Sequence, residues 1–336
     1  MADHPFRVLL VGYGTVGRAL HRVLVERHDA LRERTGVDFR LVAVARRDRA
    51  ARDPKGLAAE HPNALAWSRG EALELIMEGD ADVVVEASPT NLQNGQPGLG
   101  HARAALEGGL PLVLANKGPM AFAYRELHDR AAKQGLPVRF EATVAAAVPV
   151  FHTQRHALAG DTVLRVDGIL NGTSNFILTR MAEEGSGLDQ ALREAQAMGY
   201  AEADPTADVD GLDAGAKLAI LANHVLGRPC TFHDVKLEGI RGVTREAVEL
   251  ATKHGHRIKL IAEAGREGPI RVGPRLVPRG STLDVSGALN AVRFHAELAG
   301  QLTMVGKGAG GKETAAALLS DLLEVAKLRG FAAPGP

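Results

Sequence analysis

The sequence predicts an α/β fold that begins with a parallel sheet, and two patterns support this prediction. Short apolar runs at 6–11, 39–45, 81–88 and 110–116 alternate with stretches of helical periodicity. Strands of a parallel sheet are covered on both faces, so they read as continuous apolar segments. The second pattern is a glycine-rich turn that follows the first run and opens the first helix.

This turn reads Gly12-Tyr13-Gly14-Thr15-Val16-Gly17 and matches G-x-G-x-x-G. Gly12 permits the tight turn, Gly14 lets the backbone approach a pyrophosphate, and Gly17 allows close helix–strand packing. Thr15 and Val16 begin the helix, whose free N–H groups attract phosphate. The motif therefore predicts a Rossmann-type dinucleotide-binding domain. The alternative is an ordinary glycine turn between a strand and a helix.

The end of the second apolar run indicates which dinucleotide is bound. An acidic residue there would bind the ribose 2′-hydroxyl of NAD, whereas an arginine suits the 2′-phosphate of NADP. Arg46 and Arg47 occupy this position. We therefore predict that Arg46 contacts the 2′-phosphate and that NADP is preferred. The alternative is a solvated arginine pair, with Asp48 still serving NAD.

Further elements continue beyond the nucleotide-binding domain. Residues 164–185 read as strand, turn and helix, 270–278 read as a strand, and 312–328 as the last helix. We divide the chain into a nucleotide-binding domain (1–136), a second α/β domain (137–305) and a C-terminal segment (306–330) whose helix returns to the first domain.

Composition limits the possible partners. Lys plus Arg and Asp plus Glu both number 40 in 336 residues, which argues against nucleic acid or an anionic membrane as the main partner. No apolar run approaches the roughly 20 residues that span a bilayer. The chain enters a strand without a signal peptide, and Cys230 is the only cysteine. We expect a cytoplasmic protein that binds a small molecule.

Residues 198–217 combine carboxylates with one lysine. The carboxylates that precede Lys217 are Glu202, Asp204, Asp208, Asp210 and Asp213. Helical periodicity begins at Leu212, so Asp213 and Lys217, four apart, share one helix face. Carboxylates can hold an ammonium group, and a lysine can give a proton to a carbonyl oxygen. The alternative is an acidic first turn that complements the helix dipole.

With these features together, the chain resembles homoserine dehydrogenases over nearly its whole length. Besides the acidic segment, the motifs that carry the resemblance are Pro89-Thr90-Asn91, Asn116-Lys117-Gly118-Pro119, Glu141-Ala142-Thr143-Val144, the run from Leu170 to Leu178, and Gly308-Ala309-Gly310. The resemblance implies reversible, NAD(P)H-dependent reduction of L-aspartate 4-semialdehyde to L-homoserine, in threonine and methionine biosynthesis. It implies a homodimer formed through the second domain, which would bind substrate. We expect no regulatory domain after the last helix.

The resemblance also assigns roles to individual residues. Lys217 would donate the proton to the aldehyde oxygen, and Lys117 would lie between nicotinamide and substrate. The substrate pocket would consist of Glu202, Asp208, Asp213 and Lys217. The cofactor would also be lined by Ser88, Lys117, Gly199, Glu202 and Gly308. For Asn171-Gly172-Thr173 we keep a structural interpretation, a turn in which Thr173 or Ser174 caps the next helix.

The resemblance further implies a monovalent cation, Na or K, near Glu141. Its other ligands would be the backbone carbonyls of Val144, Ala146 and Val148. The sequence has Ala145-Ala146-Ala147 where the family usually has glycines, and alanine tolerates positive φ poorly. Either these alanines have ordinary φ or the ion loop is altered. We expect a weak structural role for the ion.

Two other functions stay open. The loop Arg279-Gly280-Ser281-Thr282 also departs from the family pattern, which permits a related dehydrogenase acting on another small amino-acid aldehyde or alcohol. A catalytically silent NADP-binding sensor is the second alternative. The presence of both Lys117 and Lys217 argues against the sensor.

Overall fold

The computed structural model describes residues 4–58 and 64–331 of the 336. Two compact units divide the chain: the first unit comprises Met1–Thr143 with Gly310–Pro336, and the second unit comprises Val144–Ala309. The division falls seven residues after the predicted boundary at 136/137 and four residues after the predicted boundary at 305/306. The segment from 137 to 143 therefore lies in the first unit, and 306–309 lies in the second.

The first unit contains a sheet with the order β4-β3-β2-β1-β5-β6-β7 within the described residues. Its strands are β1 Phe6–Val11, β2 Phe39–Arg46, β3 Arg49–Arg52, β4 Ser68–Arg69, β5 Val83–Glu86, β6 Leu112–Leu114 and β7 Val138–Arg139. Strands β2, β1, β5 and β6 are parallel, as predicted, and β7, which was not predicted, pairs parallel with β6. Strands β3 and β4 pair antiparallel at the edge, which the apolar pattern did not predict.

Helices accompany the strands in both units. They are α1 Thr15–Glu26, α2 His28–Thr35, α3 Ala72–Glu78, α4 Gly98–Glu107, α5 Gly118–Gln134, α6 Val150–His152, α7 Gly172–Glu184, α8 Leu188–Ala197, α9 Thr206–Val209, α10 Leu212–Leu226, α11 Arg245–Lys253 and α12 Gly311–Leu328. Leu318 and Leu322 of α12 share one apolar core with Phe6 and Val8 of β1. Burial of these side chains holds the last helix in the first unit.

The chain after the glycine turn forms two helices, α1 and α2, because the backbone leaves helical geometry at Arg27. This residue has φ −109° and ψ 12°. Its N–H donates to the carbonyl of Val23, while its own carbonyl accepts the N–H of Leu31. Arg27 thus ends α1 and begins α2.

The second unit contains a mostly antiparallel sheet with the order β13-β12-β8-β10-β11-β9 within the described residues. Its strands are β8 Val163–Ile169, β9 Lys236–Leu237, β10 His256–Gly265, β11 Arg271–Pro278, β12 Leu289–Ala296 and β13 Gly300–Lys307. The strand and helix predicted within 164–185 are confirmed as β8 and α7. The strand predicted at 270–278 is confirmed as β11.

One face of this sheet carries buried and half-exposed charges. Asp167 of β8 is buried and accepts hydrogen bonds from the Arg293 guanidinium at 2.7 and 3.0 Å and from His295 Nε2 at 3.1 Å. Burial acts to raise the pKa of Asp167, but the hydrogen bonds and charges of Arg293 and His295 lower it overall. Glu263, directly opposite Asp167 in the ladder, binds Arg271 at 2.7 Å. The sheet therefore presents an ion-pair network on this face.

A buried lysine of β10, Lys259, holds helix α7 in place. Lys259 Nζ donates to Asn175 Oδ1 at 2.9 Å, to the Val285 carbonyl at 2.6 Å and to Thr179 Oγ1 at 3.3 Å. Burial lowers the pKa of Lys259 to about 8. These bonds hold α7 to the loop before β12, and the residue that caps α7 belongs to the site described next.

Candidate functional site

The glycine turn of the first unit has the geometry that a dinucleotide needs. Gly12 has φ +99°, and a Cβ there would lie 2.3 Å from the Ala87 carbonyl oxygen. A Cβ on Gly17 would lie 2.1 Å from the Gly12 carbonyl oxygen. A Cβ on Gly14 would meet no atom of the described residues within 4 Å. The exposed backbone at Gly14, next to the N-terminus of α1, is therefore open to a pyrophosphate.

Arginines line the strand edge beyond this turn. Arg46 ends β2 and stands opposite Arg49 of β3, which stands opposite Arg69 of β4. The Arg46 guanidinium carbon lies 4.7 Å from the centroid of the Trp67 ring. All three arginines are exposed, as is Asp48 in the turn after β2. The structure thus places the predicted Arg46 beside two further cations.

A buried carboxylate organises the carboxyl ends of β5 and β6. Glu86 is fully buried, and its Oε1 accepts hydrogen bonds from the hydroxyl and the backbone N–H of Ser88. Asn116 Nδ2 donates to Ser88 Oγ at 3.3 Å, and His101 Nδ1 lies 3.2 Å from Glu86 Oε1. Sequence reasoning included Ser88 but missed Glu86 and His101. A carboxylate inside an apolar strand was the available signal.

The same chain of bonds reaches the backbone around Lys117. Asn116 Oδ1 accepts the N–H of Gly118 at 2.9 Å. Lys117 is half-buried and immediately precedes α5. The predicted Ser88 and Lys117 therefore lie on neighbouring strand ends that share one hydrogen-bonded network.

In the second unit, α10 places Asp213 and Lys217 on one face, as predicted. Lys217 is buried, and its Nζ lies 2.7 Å from Asp213 Oδ2. The same Nζ donates to the Leu170 carbonyl at 2.7 Å. This amine is therefore oriented by the end of β8 as well as by its own helix.

Asn171 joins the two carboxylates of this cluster. Its Nδ2 donates to Asp208 Oδ1 at 2.6 Å and to Asp213 Oδ2 at 3.0 Å. Its Oδ1 accepts the N–H of Ser174 at 2.7 Å, so Asn171 itself caps α7. The expectation that Thr173 or Ser174 caps this helix is wrong. Thr173 instead donates to the carbonyl of Tyr200 at 2.7 Å.

Negative charge dominates this cluster. Burial raises the pKa of Asp208, and the charges of Asp213 and Glu202 act in the same direction, while Asn171 and Lys217 oppose them. Glu202 is exposed in the loop after α8. Asp208 thus interacts with two further carboxylates and one lysine, an arrangement that favours binding of a further cationic group.

Gly199 and Gly308, which were both predicted to line the cofactor, lie in different parts of the second unit. Gly199 has φ +75° in the turn after α8 and is exposed. Gly308 lies against the buried amide of Asn290, and a Cβ there would come within 2.0 Å of Asn290 Cγ. The roles of Gly199, Glu202 and Gly308 at the cofactor stay predictions.

The predicted ion loop has an unusual backbone. Ala145 has φ 57° and Ala146 has φ 39°, so of the two alternatives the ordinary φ is wrong. The Val148 carbonyl accepts the N–H of Val150 at 2.8 Å, which leaves it one lone pair for an ion. Val144 is buried in the same loop. In the first unit, the buried Glu141 donates its backbone N–H to Asp321 at 2.8 Å.

Replacing Ala146 with valine is expected to lower the free energy of unfolding by about 1–3 kcal/mol, because a β-branched residue is strained at positive φ. Ala147→Val is the matched control, since Ala147 is exposed and is not among the residues with positive φ. That control should lose at most about 0.5 kcal/mol. Urea titrations followed by circular dichroism measure both. Equal losses would contradict the left-handed conformation of Ala146.

Within the described ranges, no helix combines the length and the apolar character that a membrane crossing requires.

Comparisons with known proteins agree over nearly the whole chain. Residues 149–323 match the family model for homoserine dehydrogenase, and residues 12–141 match the model for the homoserine dehydrogenase NAD binding domain. The homoserine dehydrogenase of Methanocaldococcus jannaschii is 41% identical, with 95% of this chain and 98% of that protein aligned. The NAD(+)-dependent homoserine dehydrogenase of Pseudomonas canavaninivorans is 40% identical, with coverages of 95% and 96%.

Solved structures also match nearly the whole chain. The crystal structure of a protein from Archaeoglobus fulgidus that is named as a candidate homoserine dehydrogenase superposes with a TM-score of 0.88 at 37% identity, covering 95% of this chain and 99% of that chain. A hyperthermophilic archaeal homoserine dehydrogenase in complex with NADPH gives a TM-score of 0.83 at 28% identity, with coverages of 96% and 98%.

Proposed function

Because the chain belongs to the homoserine dehydrogenase family, we propose that it is an NADP-preferring enzyme that reversibly reduces L-aspartate 4-semialdehyde to L-homoserine. The protein is an NAD(P)-dependent oxidoreductase acting on a CH–OH group. The main observation in favour of L-homoserine as its substrate is the cluster of Asp208, Asp213 and Lys217 in the second unit.

The carboxylates of this cluster suit the α-ammonium group of the amino acid. Asp208 and Asp213 are tied to each other through Asn171 and face one lysine. An added ammonium group would offset the repulsion that acts to raise the pKa of Asp208. We assign Glu202, which is exposed in the neighbouring loop, to the same task.

Lys217 suits the proton transfer. An ammonium group has three hydrogens, and two of those on Lys217 are directed at the Leu170 carbonyl and at Asp213 among the described atoms. The third can donate to the substrate oxygen that becomes the alcohol. Because Leu170 and Asp213 fix the amine, its remaining N–H is aimed before substrate arrives, which lowers the reorganisation cost of the step.

The first unit would hold the cofactor. When bound, nicotinamide supplies the hydride chemistry. Gly12, Gly14 and Gly17 leave room for the pyrophosphate, and Glu86 orients Ser88 near the strand ends. We assign Lys117 the second catalytic role, at the nicotinamide end of the cofactor.

The arginine row supports a preference for NADP. Arg46, Arg49 and Arg69 stand side by side on three paired strands, and such a concentration of guanidinium groups suits a phosphate. Asp48, exposed in the turn after β2, is the carboxylate that would favour the free ribose of NAD. Among the relatives, one is named NAD(+)-dependent and another was solved in complex with NADPH.

Several broader assignments complete the proposal. We place the enzyme in the cytoplasm, in threonine and methionine biosynthesis, with a small-molecule substrate. We propose a homodimer formed through the sheet of the second unit. For Na or K bound at the alanine loop we propose only a weak structural role.

The direct test is oxidation of L-homoserine with NADP, followed by the absorbance of the reduced nicotinamide. A panel of other small amino alcohols serves as the comparison. We expect L-homoserine to give the highest kcat/KM. Faster turnover of another amino alcohol would support the related dehydrogenase. Binding of NADP without turnover of any member would support the silent sensor.

A further inference from the structure

The only tryptophan in the sequence lies beneath the arginine that is predicted to choose the cofactor. Trp67 is half-buried and immediately precedes β4. Its ring centroid is 4.7 Å from the guanidinium carbon of Arg46. A guanidinium over an indole face at this distance forms a favourable cation–π contact. The ring therefore supports an otherwise exposed and flexible side chain.

Trp67 is itself held by the glycine turn. Its ring packs edge-on against Tyr13, with centroids 5.6 Å apart and an interplanar angle of 64°. Tyr13 stands between Gly12 and Gly14 and is buried. The ring of Trp67 thus joins the turn that would hold the pyrophosphate to the edge that carries Arg46.

Tyr13 is itself held in place by a hydrogen bond to His21. His21 Nε2 lies 2.8 Å from the Leu57 carbonyl, which can only accept, so Nε2 carries the hydrogen. In the neutral ring Nδ1 is then an acceptor, and the Tyr13 hydroxyl donates to it at 2.6 Å. His21 is fully buried. The support beneath Arg46 therefore extends through two buried side chains into the core of the first unit.

Arg46 needs this support because of its neighbours. Arg49 stands directly opposite it, and Arg69 follows on the next strand. Like charges in one row repel, and an exposed arginine loses side-chain entropy when it is ordered. The Trp67 ring offsets both effects before any ligand binds. Preorganisation of this kind increases affinity for a ligand that uses the ordered group.

We propose that Trp67 is a specificity-determining residue, which holds Arg46 in position for the cofactor 2′-phosphate and so favours NADP over NAD. This inference rests on the proposed function, in particular on Arg46 as the phosphate ligand. NAD lacks the 2′-phosphate and gains nothing from an ordered Arg46. The effect should therefore fall on NADP alone.

Two variants of Trp67 separate its aromatic face from its bulk. Trp67→Leu removes the π face and should lower the ratio of kcat/KM for NADP to that for NAD by about three- to ten-fold. The loss should lie in KM for NADP, while kcat/KM for NAD stays near the original value. Trp67→Phe keeps a ring and should stay within about two-fold. Normal activity with NAD shows that each variant is folded.

A third variant tests whether the effect passes through Arg46. Trp67→Leu should change the ratio little in an Arg46→Gln background, because the two residues act as one unit. The matched charge control is Arg52→Gln, since Arg52 is an exposed arginine at the other end of β3, opposite Ala43, and is paired with Glu78. Arg52→Gln should leave the effect of Trp67→Leu intact.

Fluorescence supplies a readout that a purely structural role would not change. Since Trp67 is the only tryptophan, intrinsic emission reports on this ring, and saturating NADP should alter it more than saturating NAD. An unchanged cofactor ratio in Trp67→Leu, with a starting enzyme that prefers NADP, would overturn the inference and leave the proposed function standing. A starting enzyme without NADP preference would overturn both that preference and this inference, whatever Trp67→Leu does.

Discussion

Replacing Lys217 with methionine is expected to lower kcat for L-homoserine oxidation by about 10²–10⁴, as for loss of a general acid–base group. Methionine approximates the shape of the buried side chain but cannot exchange a proton. Lys217→Arg tests the charge separately, because arginine keeps its proton at any working pH. We expect the arginine variant to lose almost as much. Steady-state kinetics at saturating cofactor measure both.

Two controls isolate the chemical step. Lys236→Met removes an exposed lysine of the same unit and should leave kcat unchanged. NADPH binding, measured by fluorescence titration, should differ little between Lys217→Met and the original enzyme, because Lys217 is assigned to the substrate. If Lys217→Met turns over almost normally, the proton donor lies elsewhere and Lys117 becomes the first candidate.

Replacing Arg46 with glutamine is expected to lower kcat/KM for NADP by about 10- to 100-fold, which corresponds to loss of a charge-assisted hydrogen bond. The value for NAD should hardly change, since NAD lacks the group that Arg46 contacts. Arg52→Gln is again the control for loss of an exposed arginine charge, here from the neighbouring strand β3. Competition assays with both cofactors present give the ratio of kcat/KM for NADP to kcat/KM for NAD directly.

The cofactor preference of the unmodified enzyme is a first test of whether Arg46 contacts the 2′-phosphate. If its kcat/KM values for NADP and NAD are equal, the arginine row does not select the cofactor. Asp48 would then be the residue to examine, because an acidic group near the ribose favours NAD.

The sequence predicted those parts of the fold that depend on local pattern. The apolar run at 6–11 became β1 with the predicted bounds, because a strand covered on both faces must be apolar throughout. Strands β3 and β4 were missed since they are short and rich in exposed polar residues. Their pairing depends on a register between distant segments, which no local pattern contains.

In the candidate site too, the sequence predicted what depends on local spacing and missed what depends on contacts between distant segments. Asp213 and Lys217 were predicted together because their spacing alone places them on one helix face. Asn171 was interpreted only as part of a turn, since its partner Asp208 is 37 residues away in the chain. Ala145 and Ala146 adopt positive φ against their intrinsic preference. Here the tertiary structure overrides local propensity, and no local pattern in the sequence indicates this outcome.

We expect the carboxylates around Lys217 to recognise the α-ammonium group of the substrate. The most direct test compares kcat/KM for L-homoserine with that for 4-hydroxybutanoate, which lacks only this ammonium group. A site built around a polar group rejects an analogue without it, so we expect a value lower by about 10²–10⁴ for 4-hydroxybutanoate. Comparable values for the two alcohols would contradict the account, because Asp208 and Asp213 would then have no part in choosing the substrate.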